Sequence, residues 1–135
     1  MKKFILPLIL ALIASPAFAE TVFLCNTTGG KQIKLVDNGD TFTYQFGKAQ
    51  KPELVLKVAK EDIIANWNGK DGVFNDFIEI PNQSVSYSVF SSLNKNTKKV
   101  SAGVTVYQDN ASPKTIFCNP KQIKVNKIES YGTPS

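Results

Sequence analysis

Apolar and polar residues alternate along much of this chain, so that every second side chain is apolar. The alternation is clearest at residues 32–35, 41–46 and 84–89, where aliphatic or aromatic residues take turns with Lys, Thr, Gln or Ser. Successive side chains of a β-strand point to opposite faces, so a period of two predicts strands with one buried face. Clusters rich in Asn, Asp and Gly separate these runs and predict turns.

The spacing of the runs predicts the fold class. About eight short strands follow one another at intervals of roughly 8–12 residues, with turns between them. This layout is typical of an all-β domain, here a single antiparallel barrel or sandwich closed by one disulfide. The clearest hairpin spans residues 32–46, with Asn38-Gly39 at its turn. Residues 60–66 fit either one or two helical turns or an irregular crossing, and residues 74–80 fit either a strand or a helix.

The first 19 residues have the three parts of a secretory signal peptide. Met1-Lys2-Lys3 is positive, residues 4–13 are largely apolar, and Ala17-Phe18-Ala19 matches a cleavage site. The apolar run is shorter than the roughly 20 residues of a membrane-spanning helix, so no stable membrane insertion is expected. We expect cleavage after Ala19 and a periplasmic or secreted protein. Residues 20–129 would form one β-rich domain and residues 130–135 a flexible tail.

Two cysteines, Cys25 and Cys118, are present in the chain. An exported protein meets an oxidising environment, which favours a disulfide between them. The bond would join positions 93 residues apart, and the chain-entropy model gives about 4–5 kcal/mol for such a loop. Redox chemistry is less favoured, because the cysteines do not form a Cys-x-x-Cys pair and the chain has no His.

Each cysteine begins a nearly identical motif. Cys-Asn is followed, after a break, by Lys-Gln-Ile-Lys at residues 31–34 and again at residues 121–124. We predict that each cysteine lies on a strand that leads through a turn, at Pro120 in the second copy, into another strand. The disulfide would then bring the two ends of the sheet together. A true internal duplication is left open by so short a match.

The types of charged residue argue against nucleic-acid partners and against several kinds of catalysis. All 16 basic residues are Lys, and the net charge of +5 falls to +3 when Lys2 and Lys3 are removed. Arg provides the paired hydrogen bonds with which proteins usually read phosphates and bases, so no nucleic-acid partner is expected. Without His, the Ser-His and Cys-His pairs of nucleophilic enzymes are excluded. We expect no catalysis, no cofactor and no metal.

Several acids lie close to the only tryptophan. Asp71, Asp76 and Glu79 follow Trp67 at distances of 4, 9 and 12 positions. Paired carboxylates are typical of sugar-hydrolysing sites, and an aromatic ring can stack on a sugar, which makes Trp67 a candidate binding residue. Solvated turn acids beside a buried Trp are the simpler interpretation.

A second candidate surface follows from the Ser-rich alternation. Ser86 and Ser88 would lie beside the strand of residues 100–107 and form a hydroxyl-lined face, while the connection between the two strands carries several lysines. The resulting candidate protein-binding surface consists of Ser86, Ser88, Lys95, Lys98, Lys99, Ser101 and Tyr107. The simpler alternative is the ordinary solvent-exposed face of an antiparallel sheet.

The order of the motifs resembles a known type of exported protein. A cysteine near the mature start is followed by Gly30-Lys31-x-Ile33 and Tyr44-x-Phe46-Gly47-Lys48, and later by Ser101-Ala102-Gly103 and a second cysteine. This layout resembles a group of small secreted bacterial β-domain proteins and, more loosely, the periplasmic inhibitors of lysozymes. Those inhibitors are exported β-barrel domains with a disulfide, and they insert a loop with Ser and Lys or Arg into the lysozyme cleft.

The resemblance implies roles for particular residues. Ser101-Ala102-Gly103 followed by Tyr107, and Trp67 followed by Gly69-Lys70, are similar to the inhibitor motifs, which implies that Ser101 and Lys70 enter the cleft. The leading hypothesis is therefore an exported, non-catalytic protein that binds and blocks another protein, such as a lysozyme-type hydrolase or a toxin of the cell envelope. The alternatives are an accessory envelope protein without such a target and a carbohydrate-binding domain around Trp67. The oligomeric state stays open.

Overall fold

A computed structural model describes residues 19–134 of the chain. This part of the chain contains strands and two short 3-10 helices but no α-helix. Nine of the strands form one curled antiparallel sheet with the shape of a half-barrel. The predicted all-β, antiparallel and disulfide-closed fold is confirmed in this form. The predicted signal peptide lies outside the described residues, apart from Ala19. No helix within residues 19–134 has the length and apolar character needed to cross a membrane.

The strands follow one another along the chain with short connections. They are β1 (Glu20–Thr27), β2 (Gln32–Asp37), β3 (Thr41–Lys48), β4 (Lys51–Ala59), β5 (Ile64–Lys70), β6 (Val73–Asn82), β7 (Val85–Asn94), β8 (Lys99–Gln108), β9 (Lys114–Asn126) and β10 (Thr133–Pro134). The 3-10 helix η1 (Lys60–Asp62) precedes β5, and η2 (Ile128–Tyr131) precedes β10. Across the sheet the order is β10-β5-β6-β7-β8-β9-β1-β2-β3-β4, and the short β10 runs parallel to β5.

Strand β9 joins the two halves of the sheet. Its first residues pair with β8, and its longer C-terminal part pairs with β1. The register jumps in this second part, because Cys118 lies opposite Thr27 whereas Ile123 lies opposite Cys25. The residues between these pairs bulge out, Pro120 included. The prediction of two separate strands here is therefore wrong, because Pro120 bends one long strand instead of ending it.

The disulfide and the repeated motif meet at β1. Cys25 and Cys118 are bonded, with their Cα atoms 5.9 Å apart, and both are buried. Ile33 on β2 and Ile123 on β9 are both register partners of Cys25, one on each side. The two Lys-Gln-Ile-Lys motifs thus flank the same strand. The predicted meeting of the two cysteine strands is confirmed. The prediction that the disulfide joins the two ends of the sheet is wrong, because β9 and β1 are neighbours in the middle of the sheet. The question of duplication stays open.

The hydrophobic core fills the concave side of the half-barrel. Its side chains come from the inward positions of both halves, and the rings of Tyr44 and Tyr87 stack across it with their centres 5.2 Å apart. Each large side chain that is fully buried contributes about 1.5–3 kcal/mol relative to an exposed one. The fully buried large residues are Val22, Phe23, Ile33, Leu35, Phe42, Tyr44, Ile78, Ile80, Val89, Val104 and Ile128.

The C-terminal residues cover one side of this core. Ile128 is fully buried, and the ring of Tyr131 meets Phe42 edge to face at 5.5 Å. The backbone of β10 then pairs with β5, so that Thr133 lies beside Asn66. This differs from the flexible tail predicted from Ser130 onward. Tyr131 contacts Phe42, which lies far away along the chain, so the local sequence pattern of the C-terminal residues does not show this packing.

Candidate functional site

The inward faces of β6 and β7 become polar towards one end of the half-barrel. From the buried Ile78 back towards the start of β6, the next two inward positions are occupied by Asp76 and Phe74. Directly paired residues of antiparallel strands share a face, and Asp76 is paired with Trp67 on β5 and with Ser91 on β7. A polar row, Trp67–Asp76–Ser91, therefore lies where the core ends.

A groove opens at this end, next to the β5–β6 and β7–β8 turns. Its volume is about 560 Å³, which lies within the usual range of small-ligand sites. One wall comes from the sheet and the opposite wall from η2 and the end of β9. The lining residues are Trp67, Phe74, Asp76, Ser91, Leu93, Lys95, Val100, Asn126, Glu129 and Ser130.

The floor of the groove is held by Asn126. Its amide nitrogen donates a 2.8 Å hydrogen bond to the hydroxyl of Ser91, on the opposite wall. Its side-chain oxygen accepts a hydrogen bond of 3.4 Å from the backbone N–H of Ile128, at the start of η2. Asn126 thus fixes the spacing between the sheet and η2.

Aromatic and aliphatic side chains form the rim. The rings of Trp67 and Phe74 lie 6.4 Å apart, centre to centre. The Phe74 ring lies against Gly69, where an added Cβ would approach the ring to 2.8 Å. Leu93 and Val100 continue the rim and are 37% and 42% exposed. Apolar groups that stay in water at an open groove are typical of contact sites.

Two carboxylates face the groove from opposite walls. Asp76 stands on β6 and Glu129 on η2. Burial and, as a smaller effect, the negative charge of Glu129 raise the pKa of Asp76. Of the three acids that the sequence placed near Trp67, only Asp76 reaches the groove. Asp71 lies in the β5–β6 turn, and Glu79 points to the outer face opposite Ile64, so these two acids do not join Asp76 at the groove.

The β7–β8 turn forms a firm projection beside the groove. The side-chain oxygen of Asn94 accepts hydrogen bonds from the backbone N–H groups of Asn96 and Thr97, at 2.9 and 3.1 Å. The backbone N–H of Lys95 donates to the Gly72 carbonyl at 2.8 Å, which joins this turn to the β5–β6 turn. Lys98 and Lys99 are exposed at the tip.

The predicted hydroxyl-lined face lies on the outer side of the sheet. Ser86 is paired with Tyr107, as the sequence pattern implied, and Ser101 lies on the same face opposite Ser92. Ser88 shares this face but is only 7% exposed, whereas Tyr107 is 45% exposed. Ser88 therefore offers almost no surface to a partner. Its place in a contact surface is not supported.

The residues taken from the inhibitor resemblance are spread over the sheet. Lys70 and Ser101 both belong to the outer face, but they lie on β5 and β8, three strands and roughly 14 Å apart. Trp67 faces inward, so it does not share a surface with Lys70. The structure instead brings Trp67 together with Lys95, since both line the groove.

Several groove residues had no place in the sequence interpretation. Asn126, Glu129 and Ser130 come from the end of β9 and from η2, far along the chain from Trp67. The sequence pattern could have indicated Asp76 and Ser91 as site residues. Both are polar, and both occupy inward-facing positions of strands whose other inward side chains are mostly apolar.

Comparison with known proteins adds no relative. No family model matches the chain, no curated protein matches it, and no solved structure matches it. The function is therefore argued from the geometry.

Proposed function

We propose that this is an exported, non-catalytic binding protein that blocks another protein of the cell envelope, such as a lysozyme-type hydrolase. One observation carries the proposal. A groove with an apolar rim and the lysine-bearing β7–β8 turn lie side by side at one end of a disulfide-closed sheet. Rigid, partly apolar surfaces bind with little loss of conformational entropy, because the contacting groups are already ordered.

The positive charges on the β7–β8 turn favour binding to another protein. Lys98 and Lys99 project from the turn, and rim lysines of this kind raise the rate at which a partner with an acidic cleft is captured. The disulfide and the scattered lysines fit an exported domain that has to stay soluble.

The direct test is inhibition of a panel of lysozymes and bacterial cell-wall hydrolases by the oxidised protein of residues 20–135. We expect at least one enzyme to be inhibited, and the double substitution Lys98→Gln/Lys99→Gln to weaken the inhibition. The matched control is Lys48→Gln/Lys51→Gln, which removes two paired lysines from the β3–β4 turn in the other half of the sheet. No inhibition by folded protein, or equal loss in both variants, would count against the proposal.

A carbohydrate-binding function is the second candidate, because Trp67 lies in the groove beside Asp76 and Asn126. Its test is the fluorescence of Trp67, the only tryptophan, during titration with glycan fragments. The lysine variant that separates the two functions changes Lys98 and Lys99 alone, because Lys95 also lines the groove. No fluorescence change across a broad panel of glycans would exclude this candidate.

A further inference from the structure

The groove holds two carboxylates that no basic group among residues 19–134 neutralises. Neither the carboxylate of Asp76 nor that of Glu129 forms an ion pair or a hydrogen bond within this part of the chain. The ion pairs found there involve other acids and are Lys31–Glu53, Lys60–Asp37 and Lys127–Glu20. The groove is thus an acidic spot on a protein whose net charge is positive.

Among the described residues, Lys95 contributes the ammonium group that lines the groove, and an aromatic ring of the rim already holds it. The Nζ atom of Lys95 lies 4.8 Å from the centre of the Phe74 ring. This is the geometry of a cation–π contact. The aromatic rim therefore already accepts a cation from the protein itself, while the carboxylates deeper in the groove are left without one.

We propose that the groove receives a basic side chain, Lys or Arg, of the partner protein and places its charge between Asp76 and Glu129. This inference deepens the proposed binding function and rests on it. It assigns a role to the inner groove that the exposed lysines of the turn cannot have, because they carry the same charge as the occupant.

The two negative charges in the groove favour a basic occupant over a neutral one. A neutral sugar would cover two like charges and leave both without a counterion, which is costly as water is removed. A basic side chain compensates both carboxylates at once, and a guanidinium can bond with each of them. Its aliphatic stem would then contact Leu93 and Val100 at the rim, as stems of Lys and Arg commonly do.

The test uses blocked tripeptides as probes. Acetyl-Gly-Arg-Gly-amide and its Lys and Gln analogues are titrated into the oxidised protein of residues 20–135, and binding is followed by the NMR signal of the Trp67 indole N–H. We expect the Arg and Lys peptides to shift this signal with millimolar affinity and the Gln peptide to leave it unchanged. No shift with the Arg peptide, or equal shifts with the Gln peptide, would overturn the proposal. Binding of neutral chitooligosaccharides alone would overturn it too.

Matched variants locate the binding charge. Asp76→Asn with Glu129→Gln should weaken Arg-peptide binding about fivefold or more. Single neutralisation of Glu53, which pairs with Lys31 on the far edge of the sheet, should leave binding unchanged. Lys95→Met should strengthen binding, because it removes a positive charge that lines the groove and repels a basic occupant. Equal effects of the groove and the Glu53 variants would contradict the proposal.

These results are independent of the hydrolase assay. The peptides contain no hydrolase, so their failure to bind would remove the inner groove as a side-chain site and leave the blocking function standing. Peptide binding without inhibition of any hydrolase would count against the blocking function alone.

Discussion

The phenol of Tyr131 donates a 2.7 Å hydrogen bond to the carboxylate of Asp37, although the two residues are 94 positions apart. Lys60 pairs with the same carboxylate at 3.0 Å. Asp37 stands at the end of β2, Lys60 in η1 and Tyr131 in η2. One half-buried acid therefore ties three segments of the chain together where the C-terminal cover closes on the core.

Tyr131→Phe should lower the free energy of unfolding by about 1.5 kcal/mol. The substitution keeps the ring on Phe42 and removes one hydrogen bond to a charged group, for which this is a usual value. Urea unfolding followed by circular dichroism measures the change. Tyr107→Phe is the matched control, since its exposed phenol on the outer face should matter little. Equal stability of both variants would contradict the role of the Tyr131–Asp37 bond.

Asp37 should also make stability fall at low pH. Burial alone would raise the pKa of Asp37, but hydrogen bonds from Tyr131, the Gly39 backbone N–H and Lys60 outweigh it, so the pKa is lowered from 3.8. A lowered carboxyl pKa contributes stability above the unfolded-state pKa, and this contribution is lost as the pH falls below 3.8. The stability difference between the wild type and Asp37→Asn should therefore be constant near neutral pH and shrink on acidification. A difference that does not change down to about pH 2 would contradict this assignment.

Loss of the disulfide should lower the free energy of unfolding by about 4–5 kcal/mol, as expected for a loop of this length. The double substitution Cys25→Ser/Cys118→Ser and reduction of the wild type should give similar losses in urea unfolding. The reducing agent should leave the already disulfide-free variant unchanged. An unfolding midpoint that reduction of the wild type does not move would show that the bond contributes nothing.

Gly103→Ala should be destabilising although the site is on the sheet's outer face. A Cβ at Gly103 would collide with the carbonyl oxygen of Ile116 on β9, so the two strands would have to separate. Such overpacking costs about 1–3 kcal/mol. Gly29→Ala is the control, because its Cβ would meet only Thr27 at an ordinary 3.8 Å. Thermal unfolding of both variants measures the difference, and equal melting temperatures would contradict the prediction.

The local parts of the fold could be predicted from the sequence. The β2–β3 hairpin follows from alternation around Asn38-Gly39, and the disulfide follows from two cysteines in a chain whose first residues predict export. The groove could not be predicted, because it depends on distant segments that meet only in the folded chain. Asn126 reaches Ser91, 35 positions earlier, and Glu129 reaches the groove from η2, far along the chain from Asp76.

The place of β1 in the middle of the sheet bears on the order in which the protein folds. Strands β2–β4 and β5–β8 are successive hairpins, whose partners are close in sequence. The partners of β1 on β9 lie more than 90 positions away. Contacts at such distances form slowly, because the entropy of the intervening chain is lost before the contact gains any energy. The two groups of hairpins should therefore form first, and the half-barrel should form only when β9 pairs with β1.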